Sequence, residues 1–360
     1  MRNFVGGSKR ERELQALKCV YQLDEFTVAE SERPDFKLSR PGGAEFGVEI
    51  TEIYHSESDA RLKRIDSYFS ELMDGGRHRH KDDLQALEVK TVQLQPADGS
   101  STRNIQAIMV EMPSLDAYRD ILAGAIASKG EKLVDYDAAV SHANLIVVDQ
   151  IAPLVSGEAE DFSGMVLGPS LRDIVLRSGF SEVFVVTAIA GREVVIPALE
   201  VAMITEFKLF LATLERLEID ESRLTDADGL ILFHRLLVQR GYDAKLAQYE
   251  EGFEVLMGHT GIVIEAERIV VHEHADFPLP GVTSAGDTQA VLEILPLLLG
   301  ENARVVSEVG LAIDVMRDSL DLGPDSTDPP TERFEQTPRE TPRVPRRLDY
   351  LEAMVSRSAC

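Results

Sequence analysis

The stretch Arg33-Pro34-Asp35-Phe36 is followed, across the turn Pro41-Gly42-Gly43, by Gly47-Val48-Glu49-Ile50-Thr51-Glu52. The proline and glycine residues separate two apolar segments of strand length, and this pattern predicts two neighbouring β-strands. We therefore expect the chain to form a strand pair here.

Acidic side chains of this strand pair are expected to converge. On a strand, alternate side chains share a face, so Glu49 and Thr51 point one way while Val48 and Ile50 point the other. Asp35 lies on the adjoining strand, close enough across a hairpin to share a cation with Glu49. Paired carboxylates of this kind are typical of sites for hard divalent cations.

Length and composition indicate a soluble, globular protein. The chain has 360 residues, 44% of them hydrophobic, which is enough for a sizeable core and about two domains. The most apolar region, 194–214, is interrupted by charged residues, so we expect neither export nor membrane insertion. Two cysteines, Cys19 and Cys360, form no disulfide framework, and a reducing cytoplasm is expected.

The charge distribution restricts the kind of surface that meets a partner. The formal net charge of -25 argues against a protein that binds nucleic acid through its whole surface. Such binding requires many Lys and Arg residues, because their positive charges neutralise the phosphates. Residues 1–100 contain 15 basic and 19 acidic residues, whereas the remainder contains 22 and 43. Most of the acid therefore lies outside the candidate site.

The order of elements predicts three parts. Residues 1–197 alternate helices with strands, and the apolar runs 145–148 and 183–186 are typical of central strands covered on both faces, which indicates an α/β domain. Residues 198–322 are expected to form a smaller α+β accessory domain. Residues 323–360 are rich in Pro, Thr and charged residues, which predicts a flexible, disordered linker and tail.

The order of a helix with Glu, a strand with Pro-Asp, a turn and a strand with Glu resembles the PD-(D/E)XK (restriction endonuclease-like) nuclease superfamily. The string 32–36 with 47–52, and the later piece 126–136, look like bacterial members of uncharacterised or defence-associated type. The resemblance covers about residues 9–190. It implies a restriction endonuclease-like mixed sheet flanked by helices, and hydrolysis of phosphodiester bonds in DNA with Mg2+ or Mn2+.

The resemblance also implies roles for individual residues. Asp35 and Glu49 would ligate the metal, the backbone carbonyl of Ile50 could complete its coordination, and Glu13 would assist through its carboxylate or a water. The family's lysine two residues after the glutamate is Thr51 here, and a hydroxyl supplies no positive charge. The catalytic position at Thr51 therefore departs from the family.

A lysine from a neighbouring element is expected to replace the missing one. Lys63 ranks first, because it would lie on the helix that packs against the site. Lys37, just after Asp35, and Lys90, on a later strand, are the alternatives.

Other interpretations of these motifs stay open. Pro-Asp is a common turn opening, and a glutamate on a strand is ordinary solvent-facing chemistry. A catalytically inactive nuclease-like protein could bind or scaffold through a protein partner that fits the acidic second region. Under either reading the protein could form a homodimer.

Two further motifs are ambiguous. His272-Glu273-His274 could hold a transition metal, although an exposed strand pair is the more ordinary explanation. The basic run 77–81 could touch phosphates or form a solvated loop.

Overall fold

The structure is a computed structural model. It describes residues 8–65, 67–94, 103–110, 112–136, 140–151, 166–189, 192–216, 226–249, 252–265, 268–273 and 334–335. Within these ranges, no helix has the length and apolar character needed to span a bilayer.

Eight α-helices and thirteen strands lie within the described residues. The helices are α1 Lys9–Val20, α2 Glu57–Arg64, α3 Tyr68–Met73, α4 Asp83–Ala86, α5 Leu115–Gly130, α6 Pro169–Leu176, α7 Ala198–Arg216 and α8 Asp226–Gln239. The strands are β1 Thr27–Glu30, β2 Phe36–Ser39, β3 Phe46–Ile53, β4 Glu88–Leu94, β5 Arg103–Met109, β6 Ala143–Asp149, β7 Glu182–Ile189, β8 Arg192–Pro197, β9 Lys245–Tyr249, β10 Gly252–Met257, β11 Thr260–Glu265, β12 Arg268–Glu273 and β13 Phe334–Glu335.

A six-stranded mixed sheet forms the centre of the first region, in the order β1-β2-β3-β6-β7-β8. The central strands β3, β6 and β7 are parallel, and the outer pairs are antiparallel. Helices flank this sheet, so the expectation of an α/β fold with a mixed sheet is confirmed.

The strand pair predicted from the opening stretch is β2 with β3. Phe36 lies opposite Val48, and Gly42 adopts a positive φ of 77° in the connecting turn. A Cβ atom on Gly47 would lie 2.5 Å from Cγ of Pro34, so only glycine allows the loop before β2 to approach β3 this closely.

The two faces of the sheet are covered by different helices. Val48 and Ile50 belong to the hydrophobic cluster that contains Leu17 of α1. Leu145 belongs to the cluster that contains Ile126 of α5. Central strands buried on both faces explain the unbroken apolar runs of β6 and β7.

A second, five-stranded sheet follows in the order β13-β12-β11-β10-β9. The predicted boundary at residue 197 coincides with the junction between β8 and α7. One cluster of buried apolar residues nevertheless extends from Leu145 of the first sheet through Phe207 to Val255 of the second. The predicted tail, 323–360, lies outside the described residues except for β13, which pairs with β12.

A small subdomain lies between α2 and α5. Its β4–β5 hairpin forms a separate two-stranded sheet, and a local core of Leu62, Tyr68, Leu72 and Leu87 packs beneath it. This subdomain carries the basic run 77–81 and stands apart from the central sheet.

Candidate functional site

Asp35 connects the two strands that begin the site. Extension of the β2–β3 register by one residue places Asp35 opposite Glu49, and opposed residues share a face of the sheet. The Asp35 carboxylate accepts a hydrogen bond of 2.9 Å from the backbone N–H of Ile50. This bond fixes the aspartate beside the strand that carries the glutamate.

Glu49 lies on the face of β3 that meets α5, and its side chain is buried. Its carboxylate accepts a hydrogen bond from Nζ of Lys129, near the end of α5. The lysine belongs to the same helical stripe as the buried Leu122 and Ile126, at intervals of four and three residues. The packing of α5 therefore places the Lys129 ammonium group against the Glu49 carboxylate.

Glu13 approaches the site from α1. Ser8 caps that helix through a capping box with Glu11, which sets where the helix begins. The Glu13 carboxylate pairs with Lys9 at 3.0 Å and with Arg10 at 3.1 Å. Arg10 also donates to the backbone carbonyl of Asp35 at 2.9 Å, which ties α1 to the loop before β2.

The neighbouring carboxylates act electrostatically on Asp35. Burial, and then the negative charge of Glu49, raise the pKa of Asp35 to about 6, against the opposing hydrogen bond from Ile50. Glu13 contributes further in the same direction. Perturbed carboxyl groups that share a site are a feature of functional centres as well as of structural ion pairs.

Tyr136 follows α5 and lies beside Glu49. Its hydroxyl oxygen is buried and interacts with the Glu49 carboxylate. Burial first, and then the charge of Glu49, raise its pKa above the ordinary tyrosine value. The tyrosine therefore places a hydrogen-bond donor beside the Glu49 carboxylate.

The lysines expected from the sequence lie elsewhere. Lys63 pairs with Asp59 at 2.8 Å and donates to the backbone carbonyl of Gln150 at 2.6 Å, at the opposite end of β3 and β6. Lys37 lies 3.8 Å from Glu45, and Lys90 pairs with Glu88 at 2.7 Å. The structure brings Lys129 to Glu49 instead.

Thr51 occupies the face that the alternation predicts, two residues beyond Glu49, and is half-buried on β3. Its hydroxyl adds no charge to the site. The predicted residues Asp35 and Glu49 thus come together, Glu13 joins them through electrostatics, and Lys63 does not.

The oxygen donors of the site fit a hard divalent cation. Asp35 and Glu49 supply carboxylates, and the carbonyl of Ile50 leaves β3 on the same side as its N–H, towards Asp35. Such donors suit Mg2+ or Mn2+, and Mg2+ usually retains several waters. Among the described residues, no group of three or more His, Cys, Asp or Glu that could hold a metal ion was found.

A different buried carboxylate lies at the far end of β6. Asp149 accepts hydrogen bonds from the hydroxyls of Tyr118 at 2.9 Å and Thr187 at 2.7 Å, and from the N–H of Ile151 at 2.8 Å. These bonds link α5, β6 and β7, which is a structural role.

The remaining motifs contribute little to the site. The Arg79 guanidinium donates to both carboxylate oxygens of Glu71 at 2.8 Å, and His78 contacts the carbonyl of Leu87 at 2.8 Å, so two of the five residues of the basic run bind within their own subdomain. His272 lies on β12, and His274 lies outside the described residues.

Comparisons with protein-family models, curated proteins and solved structures gave no match. The nuclease resemblance therefore depends on the residues and geometry alone.

Proposed function

We propose that the protein is a metal-dependent nuclease of restriction endonuclease-like fold that hydrolyses phosphodiester bonds in DNA. The contact between Lys129 and Glu49, beside Asp35, carries this proposal. Lys129 supplies the ammonium group that Thr51 lacks. It belongs to α5, an element far from the strand pair in the sequence.

Each residue of the site has a physical role under this proposal. Asp35, Glu49 and the carbonyl of Ile50 would hold the cation, and Tyr136 would donate a hydrogen bond to a bound oxygen. Lys129 would neutralise charge that develops on the phosphoryl group, and a largely buried position strengthens that interaction. When bound, Mg2+ or Mn2+ would act as a Lewis acid and lower the pKa of a coordinated water.

Plasmid cleavage in the presence of Mn2+ or Mg2+ tests the proposal. We expect the native chain to nick or linearise the plasmid, and Asp35→Asn, Glu49→Gln and Lys129→Met to lose at least about a hundredfold in rate. Lys90→Met removes the same charge from the exposed β4–β5 hairpin and serves as the matched control.

Absence of cleavage by the native chain would contradict the proposal, provided that the protein is folded and both metals have been tried. Equal cleavage by Asp35→Asn and the native chain would also contradict it, because contaminating nuclease would then account for the activity.

A second candidate is a nuclease-like binding or scaffold protein without catalysis. The ion pairs of Glu13 with Lys9 and of Glu49 with Lys129 favour it, because they balance carboxylate charge without a metal. The net charge of -25 would suit a basic protein partner. This candidate predicts that the purified chain neither cleaves DNA nor binds Mn2+ through Glu49.

A further inference from the structure

The carboxylate of Glu49 already has a cationic partner inside the protein. Lys129 contacts one oxygen of the carboxylate that would ligate the proposed cation. A divalent ion and an ammonium group repel each other, and the repulsion is strong where water is largely excluded. Both cations therefore compete for the same carboxylate.

The two partners differ in their freedom to move. Glu49 extends from β3, which is held between β2 and β6 by strand pairing on both sides. Lys129 lies in the last turn of α5, and its side chain is 21% exposed whereas that of Glu49 is 10% exposed. A flexible four-carbon stem with a path to solvent allows the ammonium group to leave while the carboxylate stays.

The backbone around Lys129 is held firmly. A Cβ atom on Gly130 would lie 2.7 Å from the carbonyl oxygen of Ser178, so the end of α5 packs directly against the chain after α6. The apolar residues Ile126 and Leu122 anchor the helix about one and two turns earlier, respectively. Release of the ammonium group therefore requires rotation of one side chain rather than movement of the helix.

We propose that Lys129 is the internal counter-ion of Glu49, and that a divalent cation binds this site only by displacing the Lys129 ammonium group. This inference rests on the proposed function for the identity of the cation. Metal binding and release of the lysine form one event, and the freed ammonium group becomes available to an anionic oxygen of the substrate. The lysine thus weakens metal affinity while the cleavage reaction needs it.

Calorimetric titration of the full chain with Mn2+ tests this inference. Lys129→Met keeps the length of the stem and removes the charge, and we expect it to bind Mn2+ about tenfold more tightly than the native chain. Lys9→Met removes an equal charge that pairs with Glu13 instead, and we expect a smaller gain. The control thereby separates displacement at Glu49 from a general loss of positive charge.

A second measurement uses the native chain, so it does not depend on how a variant folds. Reductive methylation modifies lysines whose ammonium groups are accessible, and peptide mass spectrometry reads each site. Addition of Mn2+ is expected to increase methylation of Lys129 and to leave that of the exposed Lys90 unchanged.

Two results would overturn the inference. One is Mn2+ affinity of Lys129→Met equal to or weaker than that of the native chain, and the other is unchanged methylation of Lys129 when Mn2+ is bound. Mn2+ binding without DNA cleavage would defeat the proposed nuclease but leave this competition intact. No Mn2+ binding by either chain would defeat both.

Discussion

Replacement of Asp35 by Asn should stabilise the metal-free protein near neutral pH. The aspartate is buried close to Glu49, so its ionisation at that pH lowers the free energy of unfolding. Asparagine has nearly the same shape, carries no charge and retains an oxygen that accepts from the N–H of Ile50.

The expected magnitude follows from the pKa of Asp35. Folding raises this pKa from 3.8 to about 6. Because the folded protein binds the proton more tightly than the unfolded chain, stability falls as pH rises between these two values. A shift of about 2 pKa units corresponds to about 3 kcal/mol above pH 6.

The net gain should be smaller than this upper limit. A neutral amide oxygen is a weaker acceptor than a carboxylate for the Ile50 N–H, and the variant also loses the attraction between Asp35 and Lys129. We expect Asp35→Asn to raise the free energy of unfolding by about 1–2 kcal/mol at pH 7.5.

Urea unfolding in EDTA at pH 7.5 and at pH 4.5 measures this effect. At pH 4.5 the folded protein already carries a proton on Asp35, so the advantage of Asn should fall to about one third. Asp82→Asn, at an exposed carboxylate, is the control and should show no comparable dependence on pH.

Destabilisation by Asp35→Asn at pH 7.5, or an equal gain at both pH values, would refute the reasoning. Either result would mean that burial beside Glu49 does not oppose ionisation of Asp35, and the electrostatic account of the site would fail with it.

Further predictions concern groups within and outside the site. Tyr136→Phe removes the hydroxyl that interacts with Glu49 and should lower the free energy of unfolding in urea by about 1 kcal/mol; an unchanged or higher value would show that the hydroxyl makes no hydrogen bond to Glu49. Burial lowers the pKa of His142 to about 3, so stability should be lost as pH falls below 6.5, by at most about 1.4 kcal/mol per pH unit, and urea unfolding of His142→Asn should show a weaker loss. Glu206→Gln leaves the buried Arg172 and the half-buried Arg240 without their shared carboxylate and should cost about 3 kcal/mol in the same assay; a cost below about 1 kcal/mol would contradict burial of the Arg172–Glu206 pair.

The central strands could be predicted because burial on both faces leaves a direct record in the sequence. The runs 145–148 and 183–186 contain only apolar residues, and they became β6 and β7. The pairing of β2 with β3 was also predictable, since a Pro/Gly turn separates two segments of strand length.

Other elements depend on tertiary contacts that local patterns do not record. Local patterns in the segment 56–73 are compatible with one helix, but the structure forms α2 and α3 there, with Ser67 at a φ of 67° between them. Neither Pro nor Gly marks that break. A proline such as Pro197 is typical of a first helical turn, yet it is the last residue of β8, an edge strand paired with β7.

The acidic half of the site was accessible from the sequence for a simple reason. Strand alternation and hairpin register are local rules, and together they place Asp35 and Glu49 on one face. The lysine follows no local rule, because Lys129 lies 80 residues beyond Glu49 along the chain. Only the packing of α5 on β3 brings them together.

A signal for this lysine nevertheless exists on α5. Tyr118, Leu122 and Ile126 are buried at intervals of four residues, and Lys129 continues their stripe instead of another apolar residue. A charged residue at the end of a buried stripe must find a counter-ion, and the carboxylates of the facing strand are the available ones. Under the proposed function, an ammonium group is required at a point in space and not at a position in the chain, so Lys129 on α5 could replace the lysine that Thr51 lacks.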